Sequence, residues 1–114
     1  MTSPSILDSL DLNAMREHAH EATRLLKALA NDRRLMVLCL LSEGERSVGD
    51  LNEQLNISQS ALSQHLAVLR DDGLVQTRRD AQTIYYALAD GPAQRIIATL
   101  HDIYCSVDGP RSKR

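Results

Sequence analysis

The stretch from Ser47 to Gly73, SVGDLNEQLNISQSALSQHLAVLRDDG, constrains this chain more than any other, because it reads as two short amphipathic helices joined by a tight turn. The first opens on Ser47, with Asp50 three residues on to complete a capping-box-like pair, and its apolar positions are Val48, Leu51 and Leu55. Asn56 and Ile57 form the turn. The second helix is capped by Ser58, runs to about Asp72 and stops at Gly73, the residue type that best tolerates the left-handed position beyond a helix end. At about 100° per residue, Leu62, Leu66 and Leu69 share one face, while Ser60, Ser63, Gln64 and Ala67 share the opposite one. An ordinary surface helix carries Lys and Glu outside. Here the outward side chains are short hydroxyls and amides, which suit close approach to base edges and phosphates. The pattern is that of a helix-turn-helix, with Ser58, Gln59, Ser60, Ser63, Gln64 and His65 as candidate DNA-contacting residues.

Two β-type runs follow, Leu74 to Arg79 and Thr83 to Leu88, separated by Asp80, Ala81 and Gln82, so they read as a hairpin. A helix-turn-helix followed by a hairpin is a winged helix, and the expected fold is mainly α with this small β wing. Arg78 and Arg79 fall at the hairpin tip, within reach of backbone phosphates or a narrow minor groove. The plainer reading makes them solubilising charges on an exposed turn.

At 114 residues the chain is expected to form one domain, from 13 to 108, between a flexible segment 1–12 and a flexible basic tail 109–114. No run of some 18 apolar residues is available to span a bilayer and no leader precedes the domain, so a cytoplasmic protein without a membrane partner is expected. The formal net charge of −2 argues against a generic polyanion binder. With aromatics at 3%, there is no platform for stacking single-stranded bases, which leaves duplex DNA as the target. Two terminal helical stripes, Met15, Ala19, Ala22, Leu26 and Leu29 at one end and Ile96, Leu100, Ile103 and Val107 at the other, either pack on their own domain alone or also form a homodimer, which is the favoured reading. A two-fold dimer presents two recognition helices to a near-palindromic operator. Asp90 is a plausible N-cap for the last helix, with Pro92 in its first turn.

Between the first helix and the reader lies Asp32 to Ser42, DRRLMVLCLLS, apolar on every side from Leu35 to Leu41 and so expected to be central and buried. It holds Cys39, for which core packing alone is a sufficient explanation. Cys105 is different: on the last helix it lies away from the stripe of Ile96, Leu100 and Ile103, near Gln94, Ala98 and His101. The chain has two cysteines, and structural disulfides are rare in the cytoplasm, so the pair suggests redox or metal chemistry. Nothing suggests an enzyme: there is no CxxC, no glycine-rich phosphate loop, no nucleophile triad, and His18, His20, His65 and His101 are scattered.

The strings LLKALANDRRLMVLCLL, ISQSALSQHLAVLRDDGLV and RRDAQTIYYAL, in this order, resemble the ArsR/SmtB family of small dimeric winged-helix regulators from Glu17 to about Cys105. Many members sense metals through cysteines at the start of the first reader helix or through a spaced Asp/His/Glu set on the final helix. Here Ser47 and Gly49 occupy the first set, and although Asp90 matches the second, Pro92, Ile103 and Ser106 fill its other positions. One cysteine in the second helix and one near the end of the last is similar to the thiol-sensing SqrR/BigR/HlyU-like branch, which includes both repressors and activators that relieve silencing. That resemblance implies that Cys39 and Cys105 form a sensing pair for persulfides or other reactive sulfur, with no cofactor and no bound metal. A polysulfide bridge spans helices set too far apart for a disulfide, whose Cα separation is about 4.4–6.8 Å. The favoured reading is a repressor released by a sulfane-sulfur inducer. Its rivals are a metal-responsive repressor using Cys39, Cys105 and His101, an anti-silencing activator, and an adaptor with a vestigial winged helix.

Overall fold

The computed structural model describes residues 11–105. Among the described residues, five helices and three strands follow one another as α1 (Leu12–Leu29), α2 (Asp32–Ser42), β1 (Arg46–Ser47), α3 (Val48–Leu55), α4 (Gln59–Asp71), β2 (Val75–Asp80), β3 (Thr83–Leu88) and α5 (Pro92–Cys105). Most of the expected segment 1–12, Val107 and the tail 109–114 lie outside the described residues. Asp11 and Leu12 lie within them: Leu12 opens α1, and the Asp11 carboxylate accepts the Asn13 backbone N–H at 2.9 Å as its N-cap.

The core is closed by large side chains from the four later helices. Leu38 of α2, Leu51 of α3, Leu62 and Leu69 of α4, and Ile97 of α5 are all fully buried. Removing so much apolar surface from water holds α4 against the body and fixes which of its faces stays outside.

The helix ends are specified by particular side chains. Ser47 accepts the Asp50 N–H at 3.1 Å, but the Asp50 carboxylate does not reach back to complete a capping box; it pairs with Arg46 at 2.6 Å. Ser58 caps α4 by accepting the Ala61 N–H at 3.1 Å. At the other end the N–H groups of Gly73 and Leu74 donate to the carbonyls of Arg70 and Leu69 at 3.0 and 2.9 Å, a Schellman motif that requires the positive φ of 73° at Gly73. For α5, Pro92 is the first helical residue and the cap position falls to Gly91, whose carbonyl accepts from Arg95, so Asp90 lies one residue too early to be the N-cap.

The sheet has the order β1-β3-β2, antiparallel throughout. The pairing runs on to Asp80 with Thr83, so Asp80 belongs to the strand and the turn consists of Ala81 and Gln82 alone. Ala81 takes the positive φ of 58° that so short a hairpin turn demands. Strand β1 is an addition to the sequence reading: two residues, paired with Tyr86 and Tyr85, are too few to show a period.

Three stripes differ from expectation. In α2, Val37, Leu38 and Leu41 are buried, but Met36 is half exposed and Cys39 only partly covered, so the helix is central on one side. In α1, Leu29 is buried, joined by Ala28 rather than by Leu26 or Met15, which are exposed. In α5, the buried positions are Ala93 and Ile97, with Ile96 and Leu100 half covered and Ile103 exposed. Each terminal helix therefore carries a second apolar edge that its own domain leaves uncovered.

Candidate nucleic-acid interface and cysteine pair

The turn between α3 and α4 is set by Asn56, which ends α3 in the left-handed conformation, and by the Asn52 side-chain amide, which donates to the Ile57 carbonyl. With Leu62, Leu66 and Leu69 inward, Gln59, Ser60, Ser63, Gln64 and Ala67 stand exposed along α4, and Ser58 is exposed at its start. The Ser58 hydroxyl is already engaged as the cap and lies 3.4 Å from the Ser60 hydroxyl. Ser60, Ser63 and Gln64 are thus the side chains free to meet a groove, since hydroxyl and amide groups both donate and accept.

His65 does not share that face. It is half-buried, and its pKa is pushed down first by burial and then by the guanidinium groups of Arg34 and Arg33, with Asp32 opposing. Two arginines from the start of α2 therefore stand beside the reader helix, a source of positive charge that sequence reasoning missed. Arg34 is committed to the Ala28 and Lys27 carbonyls at 2.8 and 3.1 Å, whereas Arg33 is exposed. Chain separation hid this, because some thirty residues lie between them and His65 in the sequence.

The wing arginines also differ from one another. Arg79 is exposed, one pair from the hairpin turn. Arg78 lies one pair further back and is clasped: Nε and Nη2 donate to both carboxylate oxygens of Glu45 at 2.7 and 2.8 Å, and the guanidinium stacks 4.6 Å from the centroid of the Tyr85 ring. This pairing holds the Glu45 carboxyl below its usual range. Glu45 adjoins Arg46, which donates to the Leu40 carbonyl at 3.2 Å and to Glu43 and Asp50 at 2.8 and 2.6 Å. A continuous polar seam thus links the end of α2 to the wing.

Helix α2 packs on α5, and each carries a free thiol, Cys39 partly covered and Cys105 exposed, near enough for charge on one to act on the other. Burial pushes the Cys39 thiol above its ordinary value, and the neighbouring charges of Cys105 and then Glu43 push it further in the same direction. Cys39 is therefore a protonated thiol at neutral pH, while Cys105 is the more accessible sulfur. Among the described residues no three His, Cys, Asp or Glu side chains converge to hold a metal ion, so Cys39, Cys105 and His101 are not a ready-made ligand set. At the family's usual metal positions, Ser47, Gly49, Asp90, Pro92 and Ile103 are within the described residues and Ser106 lies outside them.

Comparison with known proteins gives a consistent result. The family described as "Bacterial regulatory protein, arsR family" matches residues 31–77. The transcriptional activator HlyU of Vibrio cholerae is 50% identical over 99 residues, covering 87% of this chain and 92% of that protein. Its solved structure in the reduced form has 52% identity and a TM-score of 0.77, covering 81% of this chain and 97% of that one. The transcriptional repressor BigR of Xylella fastidiosa superposes with a TM-score of 0.76 at 43% identity, over 84% and 98% of the two chains. A homodimeric winged helix-turn-helix DNA-binding domain from Mycobacterium bovis gives 0.70 at 30% identity, over 90% and 89%.

Proposed function

The chain belongs to the arsR family of bacterial transcriptional regulators, DNA-binding proteins rather than enzymes, and from that premise we propose that it is a dimeric repressor whose operator affinity is set by sulfur chemistry at Cys39 and Cys105. The observation that carries the reading is that an accessible and a partly covered thiol stand on two helices packed on each other, near enough for charge on one to act on the other. Dimerisation uses the uncovered edges of α1 and α5, where Leu12, Met15, Leu26, Ile103 and Tyr104 are all about half exposed or more. A homodimeric relative of the same fold supports this. Ser60, Ser63 and Gln64, with Gln59 and Ser58, read a near-palindromic duplex in the major groove, and Arg79 meets the backbone beside it while Arg78 is held back by Glu45.

The inducer is a low-molecular-weight persulfide, RSSH. Cys105, as a thiolate, attacks the outer sulfur, takes it as Cys–S–SH and expels RS⁻, which is protonated to RSH. Cys39, on giving up its proton to the departing RS⁻, takes the outer sulfur of a second RSSH in the same way. The persulfide anion of Cys39 then attacks the inner sulfur of the Cys105 persulfide, closing a trisulfide and expelling HS⁻. Two persulfides and two thiols give one trisulfide, two carrier thiols and one hydrogen sulfide, with no other oxidant.

The bridge ties α2, whose Val37, Leu38 and Leu41 belong to the core beneath α4, to α5, which carries part of the dimer edge. It thereby shifts the spacing of two reader helices that must match half-sites about 34 Å apart. A coupling of about 1–3 kcal/mol changes operator affinity some 5- to 150-fold. The 50% identity to a protein named as an activator favours a second reading at the level of transcription, in which the DNA-bound form displaces a silencer.

The test is intact mass together with operator binding, after treatment with a sulfane-sulfur donor, peroxide or zinc. We expect donor treatment to add sulfur within one subunit and to release DNA, and Cys105→Ser to bind DNA but fail to respond. Release of the folded Cys105→Ser protein by the donor, or bridging of wild type without release, refutes the reading. Release by zinc alone with unmodified thiols substitutes a metal-responsive repressor.

A further inference from the structure

A cleft of about 430 Å³ is lined by Ser42, Glu43, Leu88, Gln94, Ile97, Ala98 and His101, and so comes within one helical turn of each cysteine. It is within the size range of small-molecule sites, about 300–1,000 Å³. Its floor, from Leu88, Ile97 and Ala98, is apolar, and its rim offers one carboxylate, one imidazole, one amide and one hydroxyl. The position of this rim is informative. Glu43 follows Cys39 by one helical turn and His101 precedes Cys105 by one turn; because Glu43 lines the cleft together with Gln94 and His101 while Cys39 lies within reach of the Cys105 charge, both thiols lie toward the same end of the cleft. The Ser42 hydroxyl donates to the Cys39 carbonyl at 2.6 Å, tying this wall of the cleft to the cysteine's own backbone.

Resting on the dithiol reading above, we propose that this cleft binds the carrier portion of the sulfur donor, and that the carrier is a small zwitterionic amino-acid thiol persulfide. Glu43 is the group for the ammonium. Its carboxylate already pairs with Arg46 through one oxygen, Oε1, and carboxylates accept several hydrogen bonds. The Gln94 amide and the His101 imidazole N–H donate to the carrier's carboxylate, and the apolar floor takes its methylene. The persulfide sulfur then points to the end of the cleft where Cys105 and Cys39 stand. Inorganic hydrogen disulfide has neither ammonium nor carboxylate and uses none of these groups. The protein thus distinguishes donors by what carries the sulfur, not by the sulfur itself.

The experiment measures, by intact mass, the initial rate of sulfur addition to the full chain as a function of donor concentration, with cysteine persulfide and with inorganic hydrogen disulfide. Gln94→Ala and His101→Ala serve as variants. Both positions are exposed on α5, where Ala is a good helix former, and thermal unfolding verifies that they fold. For wild type, the rate saturates with cysteine persulfide and rises linearly with hydrogen disulfide. Each variant raises the half-saturating concentration of cysteine persulfide roughly two- to tenfold, the worth of one hydrogen bond, with the rate at saturation held. The preference for cysteine persulfide over hydrogen disulfide falls by the same factor. A linear dependence for both donors, or equal slowing of both by the variants, removes the subsite and leaves the dithiol switch intact. If neither donor adds sulfur to wild type, the switch itself falls and the subsite with it.

Discussion

Replacing Glu45 by Gln keeps the shape of the side chain and removes the charge that clasps Arg78. In the free protein that clasp uses both carboxylate oxygens, at 2.7 and 2.8 Å, with the guanidinium stacked on Tyr85. A phosphate gains Arg78 only by stranding Glu45 beside the DNA backbone, so in wild type this arginine adds little to the neutralisation of the duplex. In Glu45→Gln the two-point ion pair is gone, and Arg78 keeps only its stacking on Tyr85 and a looser 3.9 Å contact with the Asp80 carboxylate. Each phosphate newly neutralised steepens the dependence of log affinity on log salt by about 0.9, and a dimer has two wings, so the slope changes by up to about 1.8. Over a fourfold rise in salt, that is about a twelvefold larger loss of affinity than wild type shows. At low salt the variant binds every duplex more tightly, because backbone contacts carry no sequence information. Fluorescence anisotropy on an operator and an unrelated duplex, from about 50 to 200 mM salt, reads all three effects. An unchanged slope refutes the argument, since Arg78 then meets no phosphate even when released. A shallower slope refutes it in the opposite sense, making Glu45 the residue that holds Arg78 in its binding position.

Ser60→Ala combined with Gln64→Ala lowers affinity for the specific site by about 1–3 kcal/mol for each base edge no longer read and leaves non-specific binding nearly intact; equal weakening on both duplexes would take these residues out of base recognition. Gly73→Ala forces a positive φ of 73° on a residue with a Cβ, yet no heavy atom outside Asp72, Gly73 and Leu74 lies within 4 Å of that Cβ. The cost is conformational alone, about 1–2 kcal/mol, measured by urea unfolding, and a much larger destabilisation would mean a clash where the surroundings are open. Cys39, raised above its ordinary value of 9.0, alkylates in the folded protein only at higher pH than in the denatured chain, as pulse labelling with iodoacetamide and mass analysis reports. The same shift makes the unfolded chain lose its proton first, so this thiol's contribution to stability is complete below about pH 9 and is lost as pH rises through its folded value. Identical labelling profiles in the two states would contradict the burial of Cys39.

The reader helix is legible in the sequence because all its determinants are local: Ser58 caps it, three leucines at helical spacing face inward, and Gly73 ends it. The hairpin and the pair of terminal helices are legible for the same reason. What escapes a sequence reading depends on approach between distant segments. Nothing in the neighbourhood of Arg78 announces Glu45, and nothing near His65 announces Arg33 and Arg34. The stripes of α1 and α5 are ambiguous in phase, since a helix apolar on two edges does not say which edge its own core will take; Ala28 and Ile97 win over Leu26 and Ile103 because α2 packs on that side. The cysteines stand out by scarcity and helical phase, but their nearness across α2 and α5 needs the packing.

The Schellman closure at Gly73 leaves only Asp72, Gly73 and Leu74 between the last residue of α4 and the first of β2, and Leu74 is itself bonded back to Leu69 and buried. There is no slack between reader and wing. Within a subunit, the distance from a base contact on α4 to a backbone contact on the hairpin is therefore a fixed gauge, and the protein can be tuned only by moving one gauge relative to the other. An isolated half-site should be held equally well by the reduced and the sulfur-bridged protein, and the whole difference between them should reside in the number of base pairs separating two half-sites. Operators with one or two pairs inserted at their centre would then include some that the bridged form prefers.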